Sequence, residues 1–174
     1  MKTNYSKFIS YYNSPLGKIT LASDGDNLTG LWFENQKYFG SNLADDCEYK
    51  KLPLFKQTEE WLDIYFSGKN PDFSLPILLK TTPFRQTVYE ILLTIPFGKT
   101  MTYGEIAGII ANQKGIQKMS ARAVGSAVGH NPVSIIIPCH RVVGKNGAVT
   151  GYAGGIDRKY KLLTLEKSSC KNLN

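Results

Sequence analysis

Between residues 7 and 34, short runs of β-branched and aromatic side chains alternate with turn-forming residues. KFISYYN, KITLAS and LTGLWFE are separated by Ser14-Pro15-Leu16-Gly17 and Asp24-Gly25-Asp26-Asn27. Proline presets φ, glycine admits positive φ, and Asn and Asp side chains bond nearby backbone, so the pattern predicts a small antiparallel meander. Over residues 53–68 the period changes to that of a helix. Leu54, Phe55, Trp61, Leu62 and Tyr65 fall near helical spacing, and Gly68 supplies a stop. Residues 70–80 look extended. The first 80 residues are expected to form a small α+β module; no catalytic constellation is visible in it, and its acidic pairs read as a solvated face.

The second half is patterned as helices. Thr82 can cap and Pro83 can open a helix whose apolar stripe is Phe84, Val88, Ile91, Leu92 and Ile95, with Pro96 and Gly98 ending it. Thr102-Tyr103-Gly104-Glu105 fits a capping box. It opens a helix carrying Ile106, Ile109 and Ile110. A basic loop, NQKGIQKM, follows, and Ser120 can cap a third helix, ARAVGSAVGH, ending at Asn131-Pro132. Two short helices joined by a loop suggest a helix-turn-helix, with a longer connection than usual. The third helix is built from small residues: Ala121, Ala123, Gly125, Ser126, Ala127 and Gly129, with Arg122 as its only charge. Each helical glycine costs about 1 kcal/mol against alanine. Close packing on a neighbouring helix would explain the composition, and so would close approach to DNA in the minor groove, which is only ~6 Å wide.

Charge sharpens the division. The 174 residues carry a net +7, but residues 1–79 hold 8 Lys/Arg against 10 Asp/Glu, whereas residues 80–174 hold 13 against 4. A basic half beside a near-neutral one fits contact with a polyanion, or simply a basic protein. The three cysteines, Cys47, Cys139 and Cys170, are odd in number and unclustered, which points to a reduced cytoplasm rather than a disulfide framework. With only His130 and His140 besides, no set has metal-ligand spacing, so neither a metal nor a cofactor is expected. MKTNYSKF lacks a signal peptide's apolar stretch, and no run approaches the ~20 apolar residues of a membrane span.

The chemistry concentrates in SIIIPCHRVVG. Ile135, Ile136 and Ile137 are continuous, as in a segment buried on both sides, and Val142 and Val143 continue the run. Between them stand Cys139, His140 and Arg141, a polar triplet that is costly inside an apolar run unless paired. Pro138 holds Ile137 extended and stiffens the approach to Cys139. A rigidly held cysteine beside an imidazole is a candidate nucleophile, because the thiolate is the reactive form. A buried inert cysteine beside a histidine satisfies the same pattern.

Pro138-Cys139-His140-Arg141 matches the active-site signature of the O6-alkylguanine-DNA alkyltransferases, and the likeness extends beyond it. PFGKTMTYGEIA, ARAVGSAVGHNP, IIIPCHRVVGKNGAVTGYAGG and the LLTLEK ending occur in the family's order, so residues 83–167 resemble its whole C-terminal domain. The first 80 residues resemble its N-terminal domain in size and type only. The resemblance implies a ribonuclease-H-like α/β domain over 1–80 and a mainly helical domain with a winged helix-turn-helix over 81–174. It implies a monomer acting on double-stranded DNA that carries O6-alkylguanine, with O4-methylthymine as a secondary substrate.

The same resemblance implies the roles. Cys139 accepts the alkyl group, and His140 draws off its proton through a water. Glu166 orients His140, and Asn131 braces the turn before the active segment. Tyr103 helps rotate the nucleotide and donates to the flipped base. Arg122 fills the space left behind, on a small-residue face of Ala121, Ala123 and Ser126. Val128 and Val142 line the base pocket, and Tyr152, Ala153 and Gly154 form its lid. Lys114 and Lys118 are expected to touch phosphate, and no role falls to Cys47, Cys170 or His130. A damage-binding relative without transfer, a helix-turn-helix regulator and a cysteine hydrolase are the rival functions.

Overall fold

The structure, a computed structural model, describes residues 4–171, and side chains through Lys167. It divides into two compact units: Met1–Lys80 with Pro132–Ser134, and Thr81–Asn131 with Ile135–Asn174.

The first unit contains the predicted meander. Strands β1 (Ser6–Ser14), β2 (Gly17–Ser23) and β3 (Leu28–Phe33) pair antiparallel in sequence order. Their turns fall at the two clusters of Pro, Gly, Asp and Asn. A fourth strand, β4 (Leu43–Tyr49), pairs parallel to β1, giving the order β3-β2-β1-β4. Sequence patterning did not predict β4, because LADDCEY is an edge strand with no apolar alternation. On the other edge, Leu28 exchanges backbone hydrogen bonds with Pro76 and Leu78, and Leu31 with Pro132 and Ser134. Ile19, Leu21, Leu31 and Phe33 are wholly buried. Gly30 cannot carry a side chain: a Cβ there would lie 2.0 Å from the Trp32 ring. Helix α1 (Pro53–Phe66) buries the predicted Leu54, Phe55, Trp61, Leu62 and Tyr65, and Thr58 with them. Gly68 follows it in the left-handed conformation, φ 87°.

The second unit is mainly helical. In α2 (Pro83–Leu93) the Thr82 side chain accepts from the Arg85 amide, and Val88, Tyr89, Ile91 and Leu92 are buried. The capping box forms as expected at the start of α3 (Tyr103–Lys114), which stops at Gly115 with φ 62°. After the loop, Ser120 caps α4 (Ala121–Gly129) through the Ala123 amide. Two residues on each side, β5 (Met101–Thr102) and β6 (Val142–Val143), pair in parallel. Between α4 and β6 the Ile135–Ile137 run is not a strand. It forms a turn in which Ile135 takes φ 70°, while Ile135 and Ile137 remain 1% exposed. A short 3-10 turn, Cys139–Arg141, leads into β6, another spans Lys145–Gly147, and α5 (Ile156–Lys171) follows. Among the described residues no helix is long and apolar enough to cross a membrane.

Candidate active site

Cys139 opens the 3-10 turn and is 4% exposed. Its backbone is fixed by an amide bond to the Ile137 carbonyl (2.8 Å). Asn131, two residues past α4 and itself buried, donates Nδ2 to the same carbonyl (2.8 Å). The Asn131 side chain also bonds the Cys139 sulfur. Burial pushes the Cys139 thiol up. The bond from Asn131 and the charge of Lys159 pull the other way. The thiol is therefore protonated at rest, and its reactive form needs a base.

The next residue carries an imidazole. His140 has no exposed surface, and its Nε2 lies 2.6 Å from Glu166 Oε1. Burial lowers the imidazole's affinity for a proton, against the pull of Glu166. A neutral ring that donates Nε2–H to a carboxylate presents Nδ1 as its acceptor, the arrangement of a general base.

Glu166 comes from the third turn of α5 and is 1% exposed. Burial alone would raise its carboxyl, but His140 and Arg141 overcome that and hold it down at about 2. Arg141 donates Nε to both oxygens (3.2 and 3.0 Å) and Nη2 to Oε1 (3.1 Å). The Gly98 amide donates to Oε2 (2.9 Å), and Arg141 Nη1 donates to the Ile95 carbonyl (2.7 Å). A buried carboxylate needs such a shell.

Tyr103, the first residue of α3, is partly buried, which raises its phenol against the opposing pull of the Thr150 side chain. Residues 148–155 carry Thr150, Tyr152, Ala153 and Gly154 between the Lys145–Gly147 turn and α5. On α4, Arg122, Ala121 and Ser126 are exposed and Ala123 half-buried, while Val124, Ala127 and Val128 face inward. Nothing in the chain lies within 4 Å of a Cβ built on Gly129, and one on Gly125 would meet only the Tyr103 ring at 3.7 Å. Packing inside the chain does not demand these glycines.

Two family models cover nearly all of the chain. Residues 83–168 match the 6-O-methylguanine DNA methyltransferase, DNA binding domain, and residues 7–79 match its ribonuclease-like domain. A methylated-DNA–protein-cysteine methyltransferase of Mycobacterium tuberculosis is 45% identical over 90% of both chains. The chain belongs to this methyltransferase family. Another relative of the same name, from Haemophilus influenzae, is 40% identical over 92% of this chain and 86% of its own. A solved structure of the M. tuberculosis protein in complex with DNA superimposes with a TM-score of 0.78, at 42% identity, over 93% of this chain and 94% of that one. In this family member a ribonuclease-like N-terminal part is thus followed by a helical DNA-binding part.

Cys139, His140, Glu166 and Asn131 come together in one buried cluster, while Tyr152 is half-buried. Val142, in β6, has no exposed surface. Lys114 and Lys118 lie exposed, Lys114 with its ammonium 5.7 Å from the Phe84 ring centre. His130 bonds the Ser126 carbonyl through Nδ1 (2.7 Å). Cys47 is half-buried in β4, and the side chain of Cys170 lies outside the described residues.

Sequence reasoning missed two residues. Arg141 stood within the signature, and the need to pair a polar triplet was its signal. Lys159 carried a subtler one: it shares a helical face with Leu162 and Glu166, at spacings of three and seven.

Proposed function

We propose that this protein repairs O6-alkylated guanine in duplex DNA by moving the alkyl group onto Cys139 Sγ, once per molecule. The observation that carries this is the buried cluster of a thiol bonded by Asn131, beside an imidazole held 2.6 Å from a carboxylate. The thiol proton passes through a water to His140. The thiolate then attacks the alkyl carbon, the S–C bond forms as the C–O6 bond breaks, and guanine leaves with the electron pair. Donors aimed at the departing base stabilise its developing charge, and Tyr103 supplies one. Tyr103 passes its proton to the departing base and regains one from the imidazolium through water, so the proton taken from the thiol ends on guanine and charge balances. Glu166 meanwhile stabilises the imidazolium.

The target atom lies inside the helical stack, so the nucleotide must be extruded at a cost of a few kcal/mol. Arg122, exposed on a face otherwise stripped of bulk, fills the gap, and the unexplained Gly125 and Gly129 support minor-groove entry of α4 in a winged helix-turn-helix arrangement. Val128, Val142 and the lid residues Tyr152, Ala153 and Gly154 enclose the base. The basic half supplies phosphate contacts. The solved M. tuberculosis relative in complex with DNA supports DNA as the partner. The protein acts as a monomer in the cytoplasm, with residues 1–80 and 81–174 as its two domains.

Incubation with O6-methylguanine duplex followed by intact-mass and peptide analysis tests this. The protein should gain one methyl, on Cys139, saturating at one per molecule. Repeated turnover, or a methyl elsewhere, rejects it; binding without any mass gain favours a damage-recognition protein instead.

A further inference from the structure

Beside α4 lies an open groove of about 380 Å³, none of whose lining belongs to the cluster around Cys139. The start of α2 lines it with Thr82, Phe84 and Arg85, and α4 lines it with Ala123, Ser126 and Ala127. Arg85 is half-buried there, and among the described residues no carboxylate forms an ion pair with it. A guanidinium held against a groove without a counter-charge favours an anion from outside. Phe84 carries the row further. The exposed Lys114 ammonium, from the last turn of α3, stands 5.7 Å from the Phe84 ring centre. No residue lining the groove is acidic, and between Glu105 and Asp157 the chain holds no Asp or Glu at all. Two hydroxyls complete the lining. The Thr82 oxygen accepts from the Arg85 amide and keeps its own proton to donate, and Ser126 is exposed.

We infer that this groove is a track for the sugar–phosphate backbone of the DNA beside the lesion, in which Arg85 and Lys114 meet phosphates and the Phe84 ring lies against the deoxyribose between them. The inference rests on the proposed entry of α4 into the duplex. Ala123 and Ser126 belong both to that face and to the groove, so the groove continues the contact without a break. A helix that enters the minor groove, only ~6 Å wide, has a strand wall close on each side. On the α2 side of α4 the space for that wall is this groove. All the lining residues from Phe84 onward fall within the stretch, 83–168, that matches the DNA binding domain. Helix α2 thereby joins the DNA contact through charge, and holds the duplex in register without reading its sequence.

O6-methylguanine duplexes carrying single methylphosphonate linkages, each lacking one phosphate charge, test the track. Wild-type affinity should fall about fivefold to tenfold at one or two linkages near the lesion. In Arg85→Ala, affinity for the all-phosphate duplex should fall by a similar factor, and the salt slope should shrink by about one contact. A methylphosphonate at the sensitive linkage should then cost nothing more. Lys114→Ala, on an exposed side chain, should behave alike at a neighbouring linkage, and serves if urea melts show that Arg85→Ala folds poorly. Losses that simply add at every linkage overturn the track. So does an unchanged salt slope in both variants, which would give the groove to a partner other than DNA. A wild type that binds the duplex but accepts no methyl rejects the functional proposal, and the linkage pattern still decides the groove.

Discussion

Arg141 Nε lies 3.0 Å from Glu166 Oε2, on the carboxylate whose other oxygen meets His140 Nε2 at 2.6 Å. The guanidinium and the Gly98 amide fix Glu166 without help from the histidine. Glu166 therefore arrives at His140 already oriented and already charged.

Replacing that charge tests the arrangement. Glu166→Gln keeps the shape but leaves Arg141 buried without a counter-charge, and should destabilise the fold by about 3–5 kcal/mol. Single-turnover methyl transfer at neutral pH should fall about a hundredfold, the usual contribution of an oriented base. Urea melts and quenched transfer assays give both numbers. Wild-type transfer in a folded Glu166→Gln protein would mean that the pair is structural only.

The pH dependence of stability follows from the same carboxylate. Its folded pKa, about 2, lies below the ordinary 4.5, so its contribution is full above about 4.5 and is lost as pH falls toward 2. At full burial this amounts to about 3 kcal/mol. His140, also lowered, adds in the same direction: the unfolded chain takes up its proton first, so stability drops as pH falls below 6.5. Urea midpoints should decline in acid, and Glu166→Gln should decline less. A flat profile in the wild type would contradict this linkage.

Cys139→Ser should keep DNA binding and lose transfer. Asn131 can still bond the smaller oxygen, so the pocket survives, but a hydroxyl is a poor nucleophile without far stronger activation. Gel-shift affinity and transfer are measured on one methylated duplex. Transfer at a similar rate by the serine variant would remove Cys139 as acceptor.

Arg122→Ala should slow repair of duplex DNA far more than reaction with free O6-benzylguanine, which never pays for unstacking. The salt slope of binding should shrink by about one phosphate contact. Paired single-turnover rates decide it. Equal losses on both substrates would mean that Arg122 shapes the pocket rather than filling the gap in the stack.

Gly125→Ala is expected to help the fold and hurt the function. The new methyl meets the Tyr103 ring at an ordinary 3.7 Å, and alanine should stabilise the helix by about 1 kcal/mol. Duplex affinity should nonetheless drop, because the added group stands on the small-residue face. Higher stability together with unchanged affinity would return the glycine to a packing role.

Much of the fold was legible because hydrophobic spacing and turn chemistry agreed. The β1–β3 meander and helices α1 to α4, with caps at Thr82, Thr102 and Ser120, follow the pattern closely. β4 escaped because an edge strand is held by backbone pairing, which leaves no side-chain period in LADDCEY. The isoleucine run announced burial but not its turn, since a positive φ at a β-branched residue has no sequence signal. At the site, Cys139 and His140 were visible as a polar island in an apolar run. The partners Gly98 and Ile95 act through backbone atoms, which composition cannot reveal.

Ile135 has a consequence for how the protein ages with heat. A buried, β-branched residue at φ 70° is held there only by its surroundings, against a pull of about 1–3 kcal/mol. It stands four residues before the sulfur, so the segment bearing the nucleophile is kept under tension by the core around it. When warming softens that core, this segment is the first to find a more comfortable path. Capacity to accept an alkyl group should therefore fade several degrees before the helices melt, and the protein would become inert while still looking folded.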